Sequence, residues 1–299
     1  MADSTPVEAT SDSVTLYRYG RSFRISVLAF GDPNRPVDVV WLHANGLNAA
    51  TYRHTLAPVG ARLRVLAVDQ RGHGGTPQDR DVAGRCDAYD LRDDLLALLE
   101  IVAPERPVVL AGHSMGGCVS LLAAAEAPER VRGIALFDPV VLSLASFVAA
   151  QATQGLIVPE SPLAEKARTR RTTYPSRQAV LDSYLGRTIF KTWPDEAVEG
   201  YVQAGFREVA DGVELTCAPE WEASNFTGHG HDIWAAMARV EAPVAIYRAE
   251  QGSTCSIARS EDFPRPAGQV EVTTVPGTTH FLPIERPDLV QKALLERAG

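Results

Sequence analysis

The sequence lacks two features that would direct it to a membrane or to nucleic acid. Its longest nearly apolar stretch, 140–150, is interrupted by serines, whereas a membrane-spanning helix needs about 20 apolar residues. Basic side chains are also outnumbered, with 29 Lys and Arg against 37 Asp and Glu and a net charge of −8. Because nucleic-acid proteins present a basic face to phosphates, we expect neither a membrane nor a nucleic acid as a partner.

Cysteine is scarce as well, and the few cysteines form no recognisable site. Cys86, Cys118, Cys217 and Cys255 are far apart in the sequence and include no C-x-x-C pair, so the spacing of a zinc site or of a small disulfide framework is missing. We expect free thiols in a reducing compartment and no bound metal. The polar first residues have no apolar run behind them to form a signal peptide. These features predict a disordered tail over residues 1–13 and a cytoplasmic location.

Short apolar runs alternate with helical patterns along most of the chain. We interpret eight segments as strands: 14–19, 24–30, 39–42, 63–68, 108–111, 134–137, 244–247 and 270–275. Leucine-rich periodicity predicts helices between them, for example over 90–101 and 287–297. This alternation predicts an α/β fold with a mostly parallel sheet and helices on both faces. The first two strands are close enough to form an antiparallel hairpin at one edge.

Residues 140–240 differ from the rest of the chain because strand-like runs nearly vanish there. Prolines punctuate four helical segments, which we place at 142–151, 162–172, 176–188 and 194–209. We therefore predict a helical cap, or lid, over 140–240. It interrupts a core that consists of residues 14–139 and 241–299.

The most informative motif is the G-x-S-x-G at residues 112–116, with Ser114 at its centre. An apolar strand precedes it and an alanine- and leucine-rich helix follows it. A serine on such a strand–turn–helix elbow exposes its hydroxyl as a nucleophile. A serine that merely caps a helix also fits this position, but the other parts of a catalytic site are present.

A serine nucleophile needs a base and an acid that orients the base. His280 follows the last predicted strand and is our candidate base. Two acids are possible: Asp138 follows the strand at 134–137, and Glu250 follows the strand at 244–247. We favour Asp138 and keep Glu250 as the alternative, since the order Ser, Asp, His is typical of the elbow motif.

Acyl chemistry also needs two N–H groups for the negative oxygen that develops. Met115 directly follows the nucleophile and is the first candidate donor. The second is expected from the loop after the third strand, for which we choose Asn45, with Leu47 as the alternative.

These motifs together resemble the α/β-hydrolase fold superfamily over most of residues 14–299. The resemblance is carried by H-A-N-G at 43–46, D-Q-R-G-H-G at 69–74, G-H-S-M-G-G at 112–117 and H-F-L-P-I-E-R-P at 280–287. It implies a serine hydrolase with an eight-stranded sheet and a helical cap. Two departures are the first loop, which is usually His-Gly-x, and the missing aspartate after the seventh strand. The position of Asp138 resembles that in certain haloalkane dehalogenases, but those enzymes use an aspartate nucleophile.

The cap and the nearby loops are expected to cover a small-molecule pocket at the carboxyl edge of the sheet. The candidate pocket residues are His43, Phe147, Trp193 and Phe281. A basic stretch at 166–171 is interpreted as a solvated helix face, although it could also meet an anionic substrate.

We therefore expect a cofactor-free serine hydrolase of the carboxylesterase type, as a monomer or homodimer, acting on a small molecule. Three alternatives stay open. The chain could be a C–C bond hydrolase of ring-cleavage products with the same triad, or a cofactor-free lyase or oxygenase that needs only the His–Asp pair. It could also be a non-catalytic ligand-binding protein that kept the fold.

Overall fold

The computed structural model describes residues 9–18, 21–78, 87–152, 161–227, 231–264 and 269–299. The strands in these ranges are β1 (Thr10–Arg18), β2 (Arg21–Phe30), β3 (Val39–Leu42), β4 (Val65–Val68), β5 (Val108–His113), β6 (Val131–Phe137), β7 (Thr173–Tyr174), β8 (Phe206–Val209), β9 (Gly212–Leu215), β10 (Val244–Ala249) and β11 (Val270–Val275). The α-helices are α1 (Arg53–Leu56), α2 (Ala88–Val102), α3 (Met115–Glu126), α4 (Leu144–Ala152), α5 (Pro162–Thr169), α6 (Arg177–Tyr184), α7 (Asp195–Gly205), α8 (Pro219–Thr227), α9 (Ile233–Arg239), α10 (Leu282–Glu285) and α11 (Pro287–Ala298).

The predicted eight-stranded, mostly parallel sheet is confirmed. Its strand order is β1-β2-β4-β3-β5-β6-β10-β11. The pairs β1–β2 and β2–β4 are antiparallel, and the remaining neighbours are parallel. The carboxyl ends of β3, β5, β6 and β10 therefore lie along one edge, where open α/β sheets bind their ligands.

Two apolar layers cover the sheet because successive residues of a strand point to opposite faces. In β3, Val40 and Leu42 pack in the layer that contains α2, α3 and α9. Val39 and Trp41 pack in the other layer, with α1 and α11. All four of these side chains are buried, which explains why β3 is an unbroken apolar run in the sequence.

The first strand begins earlier than predicted. β1 pairs with β2 from Thr10, opposite Ala29, to Arg18, opposite Arg21. Residues 10–13, which we assigned to a disordered tail, are therefore in the sheet. Their polar side chains do not prevent this, because the ladder is formed by the backbone and an edge strand can expose polar groups. Residues 1–8 of the predicted tail lie outside the described residues.

The predicted cap region contains strands as well as helices. β7, β9 and β8 form a small antiparallel sheet in that order, which the prediction of a helical segment did not include. The helix predicted over 194–209 ends at Gly205, where β8 begins. Strands of two to four residues are too short to give a clear periodic signal in the sequence. In addition, α9 packs on α3 of the core, although it lies within 140–240.

The remaining expectations from composition concern thiols and membrane segments. Cys118, Cys217 and Cys255 are free and buried, while Cys86 lies outside the described residues. Within the described part of the chain, every helix is too short or too polar to cross a bilayer.

Candidate active site

Ser114 lies on a tight turn between β5 and α3. Its backbone has φ 55° and ψ −115°, a left-handed conformation that costs free energy for a side chain other than glycine. Flanking glycines allow the turn, since a Cβ on Gly112 would lie 2.4 Å from the carbonyl carbon of Gly116. A Cβ on Gly116 would lie 2.3 Å from the Leu42 oxygen. The G-x-S-x-G pattern is therefore a packing requirement of this elbow.

The three side chains predicted as a triad lie in one hydrogen-bonded line. The Oγ of Ser114 is 3.0 Å from Nε2 of His280, and Nδ1 of His280 is 2.6 Å from Oδ2 of Asp138. Because an ionised carboxylate only accepts hydrogen bonds, Nδ1 carries the imidazole proton. Nε2 is then free to accept the hydroxyl proton of Ser114. This arrangement can raise the nucleophilicity of the serine.

Asp138 is fully buried and is held by the loop that follows β10. Its Oδ1 accepts from the Ala249 N–H at 2.8 Å and from the Ser253 hydroxyl at 2.5 Å. Its Oδ2 accepts from the Thr254 N–H at 2.9 Å as well as from His280. Burial by itself raises the pKa of Asp138, but the hydrogen bonds, above all that from His280, outweigh it and hold the pKa well below its usual range. The carboxylate therefore stays ionised.

Glu250, the alternative acid, is placed elsewhere. Its exposed side chain accepts a hydrogen bond from the N–H of Gly277 at 2.9 Å. Of the two acids considered, Asp138 is the one hydrogen-bonded to His280.

The loop after β3 has one candidate oxyanion donor whose N–H is free. Among the described residues, the N–H groups of Asn45 and Met115 have no hydrogen-bond acceptor. By contrast, the N–H of Leu47 donates to the Ala44 carbonyl at 3.1 Å, and that of Gly46 donates to Nε2 of His73 at 3.1 Å. The geometry therefore favours Asn45 over Leu47 as the partner of Met115.

His43, one of the predicted pocket residues, supports the backbone of this loop. Its ring is fully buried. Nε2 accepts from the Gln70 N–H at 2.9 Å, and Nδ1 donates to the Ala44 carbonyl at 2.8 Å. Burial holds the pKa of His43 well below its usual range, and the neighbouring His73 lowers it further. A neutral His43 can both accept and donate, and through the Ala44 carbonyl it holds the peptide group that contains the Asn45 N–H.

A second buried histidine connects this loop to His280. The Ala44 N–H donates to Oη of Tyr52 at 3.3 Å, and this hydroxyl lies 2.7 Å from Nδ1 of His113. Nε2 of His113 donates to the His280 carbonyl at 2.7 Å. Burial keeps the pKa of His113 far below its usual value, so the ring is neutral and accepts the Tyr52 proton at Nδ1. The chain of hydrogen bonds joins the two loops that flank Ser114.

The other three predicted pocket residues, Phe281, Trp193 and Phe147, differ in their surroundings. Phe281 is half-buried beside His280, and its ring packs at 5.2 Å on that of Trp193. Trp193 is itself buried, and its ring packs on those of Phe190 and Tyr201. Phe147 is half-buried on α4.

The basic stretch at 166–171 is only partly a solvated face. Lys166 is exposed, and Arg168 pairs with Glu220 at 3.2 Å near the surface. Arg170 instead turns inward and pairs with the buried Glu222 at 2.5 Å. The interpretation as a solvated face therefore fails for Arg170.

Several residues that hold the site in place were not identified from the sequence: Tyr52, Ser253, Thr254 and Asn225. The serine and threonine follow the strand at 244–247, and only the adjacency of β6 and β10 in the sheet reveals that they face Asp138. Tyr52 and Asn225 carry no motif, and the sequence contains no signal that could have identified them.

Comparison with known proteins supports the assignment of the fold. The chain matches the Alpha/beta hydrolase family over residues 39–293. It is 25% identical over 256 residues to the 2-(acetamidomethylene)succinate hydrolase of Mesorhizobium japonicum, covering 86% of each chain. The crystal structure of E-2-(acetamidomethylene)succinate hydrolase matches with a TM-score of 0.74 and 24% identity, over 97% of this chain and 98% of that one. The monoglyceride lipase of Rattus norvegicus is 40% identical over 106 residues, 34% of each chain.

The family match spans most of the chain, including the loop after β3, the serine elbow and the His280 loop. It agrees with the eight-stranded sheet and with the strand–serine–helix turn at its carboxyl edge. On these grounds the chain is a member of the alpha/beta hydrolase family.

Proposed function

We propose that this protein is a serine hydrolase that cleaves a carboxylic ester or a related acyl bond of a small molecule through an acyl-enzyme. The observation that carries the proposal is the line of hydrogen bonds from Ser114 through His280 to Asp138, with distances of 3.0 Å and 2.6 Å. A serine hydroxyl, an imidazole and a buried carboxylate at these distances are the groups that nucleophilic acyl transfer requires.

In the acylation step, Oγ of Ser114 attacks the carbonyl carbon while Nε2 of His280 takes the hydroxyl proton. The carbonyl oxygen becomes an anion, which the N–H groups of Met115 and Asn45 stabilise by hydrogen bonding. Asp138 stabilises the imidazolium through Nδ1 and does not take the proton itself. When the intermediate collapses, His280 gives its Nε2 proton to the departing oxygen or nitrogen.

In the deacylation step, a water molecule takes the place of the leaving group. His280 Nε2 removes a proton from this water, which attacks the acyl carbon, and the same two N–H groups stabilise the second oxyanion. Collapse of this intermediate returns the proton to Oγ of Ser114 and releases the acid. The two steps together consume one water and form an acid and an alcohol or amine.

Two acyl bonds are supported by similar proteins. The likeness to a monoglyceride lipase covers 34% of this chain and favours an ester. The likeness to a hydrolase named for 2-(acetamidomethylene)succinate covers 86% of it, and that name contains an acetamide group. We propose the ester, the bond expected from the sequence motifs, as the first candidate, and the longer likeness adds the amide as the second.

Covalent labelling with a fluorophosphonate tests the nucleophile. We expect one adduct, on the peptide that contains Ser114, and its loss in Ser114→Ala. Ser120→Ala is the matched control, since Ser120 is a buried serine of α3 whose hydroxyl donates to the Gly116 carbonyl. Folded protein without an adduct on Ser114 would overturn the proposal.

A substrate panel then identifies the bond. Turnover of simple esters, thioesters or lactones supports the first candidate, and turnover of N-acyl compounds supports the second. If only vinylogous diketo acids are cleaved, the chain is a C–C bond hydrolase. If Ser114→Ala keeps full turnover, the reaction is of the lyase or oxygenase type, and the acyl-enzyme mechanism is wrong.

A further inference from the structure

A helix of the cap region holds the side chain of Asn45 at both ends. Nδ2 of Asn45 donates to the carbonyl of Glu222 at 2.9 Å. Oδ1 of Asn45 accepts from Nδ2 of Asn225 at 2.9 Å. Glu222 and Asn225 are three positions apart in α8, so they lie on the same side of the helix. With its donor and its acceptor both engaged, the amide has one orientation relative to α8.

The helix α8 is itself fixed on the core. Nε1 of the buried Trp221 donates to the Arg71 carbonyl at 2.9 Å. The contact is so close that a Cβ on Gly72 would lie 2.1 Å from Nε1 of Trp221. A Cβ on Gly46 would lie 2.6 Å from Oε1 of Glu222. Glycines at these two positions therefore let α8 lie directly on the loops that follow β3 and β4.

The charge that α8 brings to this loop is neutralised. A carboxylate near an oxyanion would oppose its formation by repulsion. Glu222 is buried beside Gly46, but its Oε2 is paired with Nη1 of Arg170 at 2.5 Å. Arg170 also donates to Oη of Tyr201 at 2.7 Å. The pair allows α8 to lie against the loop without adding a net negative charge there.

The Asn45 N–H is thus held from three sides. His43 and Leu47 bind the Ala44 carbonyl on one flank, and His73 binds the Gly46 N–H on the other. The third constraint is the amide side chain of Asn45, which α8 holds. The Ala44 carbonyl and the Asn45 N–H belong to one planar trans peptide group. When this carbonyl and the Asn45 side chain are both held, the direction of the Asn45 N–H is determined as well.

We propose that two groups of α8, the Asn225 side chain and the Glu222 carbonyl, position the oxyanion hole by orienting the Asn45 N–H through the Asn45 side chain. This inference rests on the proposed function, because it assumes that an oxyanion forms at Ser114. It assigns a catalytic consequence to a helix of the cap region that contributes no reacting atom.

The test compares Asn225→Ala with Ser224→Ala in the full-length protein. Ser224 is the neighbouring residue of α8, and its hydroxyl donates to the Trp221 carbonyl, away from the loop. Active sites are first counted by fluorophosphonate labelling of Ser114, so that misfolded protein does not enter the rates. Then kcat and KM are measured, together with the affinity of a trifluoromethyl ketone, which forms a tetrahedral adduct with a serine.

In Asn225→Ala we expect kcat per labelled site to fall about tenfold, a fraction of the effect of removing an oxyanion donor. KM should stay within about twofold, and the affinity for the ketone should fall by the same factor as kcat, since only the tetrahedral state uses the N–H. Ser224→Ala should match the wild type. In Asn225→Asp, a carboxylate oxygen, which only accepts hydrogen bonds, replaces the group that donates to Oδ1 of Asn45. This variant should reduce kcat at least as much as Asn225→Ala.

Unchanged kcat and ketone affinity per labelled site in both Asn225 variants would overturn the inference, even if they lower the melting temperature. Equal losses in Ser224→Ala would also overturn it, because the effect would then belong to the helix as a whole. Failure of the proposed function is a separate result, since the wild type would then carry no fluorophosphonate on Ser114.

Discussion

The two sides of the candidate active site are supported by different parts of the molecule. On the acid side, Asp138 is surrounded by donors from Ala249, Ser253 and Thr254, all at the carboxyl end of β10 or in the loop after it. On the opposite side, the side chain of Asn45 is held by α8, which lies in the inserted region. The donors to Asp138 therefore come from β10 and the loop after it, whereas the Asn45 side chain is held by a helix from the segment between β6 and β10.

This difference has a physical reason. A buried carboxylate without donors is very costly, so Asp138 must be paired in every state in which it is ionised. The neighbouring parallel strand provides these donors permanently. The loop after β3 has to orient one neutral N–H, and a hydrogen bond between amides is sufficient for that. A substitution near Asp138 should therefore change the charge of the site and the pH dependence of stability or turnover. A substitution in or beside the loop after β3 should instead change the direction of the Asn45 N–H.

The largest effect is expected from Asp138→Asn. The variant loses the negative charge that stabilises the imidazolium of His280, and kcat should fall by about 10,000-fold. Glu250→Gln is the control, since Glu250 contacts only the Gly277 N–H among the described residues, and it should keep its turnover. Near-full turnover of Asp138→Asn together with a loss in Glu250→Gln would reverse the assignment of the acid.

Gly46→Ala should give the next largest effect, because it disturbs the contact between α8 and the loop after β3. Gly46 has φ +73°, and the added Cβ would lie 2.6 Å from Oε1 of Glu222. We expect kcat to fall at least about tenfold through displacement of the oxyanion donor. Gly186→Ala is a matched control, with φ +69° and no atom within 4 Å of the added Cβ. Equal activity of the two variants would mean that the contact with α8 does not position the loop.

Tyr52→Phe tests the connection between the two sides. The variant removes the hydroxyl that joins the Ala44 N–H to Nδ1 of His113. Because both partners are buried, the free energy of unfolding should fall by about 1–3 kcal/mol, measured by urea denaturation. Turnover should fall only a few-fold. Tyr17→Phe is the control, since Tyr17 is 80% exposed; equal stability of both variants would show that the connection contributes nothing.

Ser253→Ala should have the smallest effect on turnover, with a characteristic dependence on pH. The pKa of Asp138 in the folded protein lies below its unfolded value. Its contribution to stability is therefore present above about pH 4 and is lost as the pH falls towards the folded pKa. Removing the Ser253 hydroxyl raises the folded pKa, so the variant should be less stable than the wild type at neutral pH. Urea denaturation should show this difference shrinking in acid; a difference independent of pH would contradict the assignment.

Much of the fold and the reacting groups could be predicted from the sequence because they depend on local patterns. Buried parallel strands such as β3 are unbroken apolar runs. The elbow around Ser114 requires glycines at fixed positions, as the close contacts of Gly112 and Gly116 show. The start of β1 and the small sheet of β7, β8 and β9 were missed, because pairing of short or polar strands leaves little periodic signal.

The α/β architecture, the serine elbow and the histidine after the last strand can all be predicted from the sequence, since each depends on spacing within a few residues. The packing of the folded chain is needed to see that His280 is hydrogen-bonded to Asp138, while Glu250 binds the Gly277 N–H instead. It also shows that His43 is buried, that Arg170 turns inward, and that α8 holds Asn45. These facts depend on contacts between segments 27 to 180 positions apart, whose adjacency arises from the order of strands in the sheet and from the way the helices between β6 and β10 pack onto its edge.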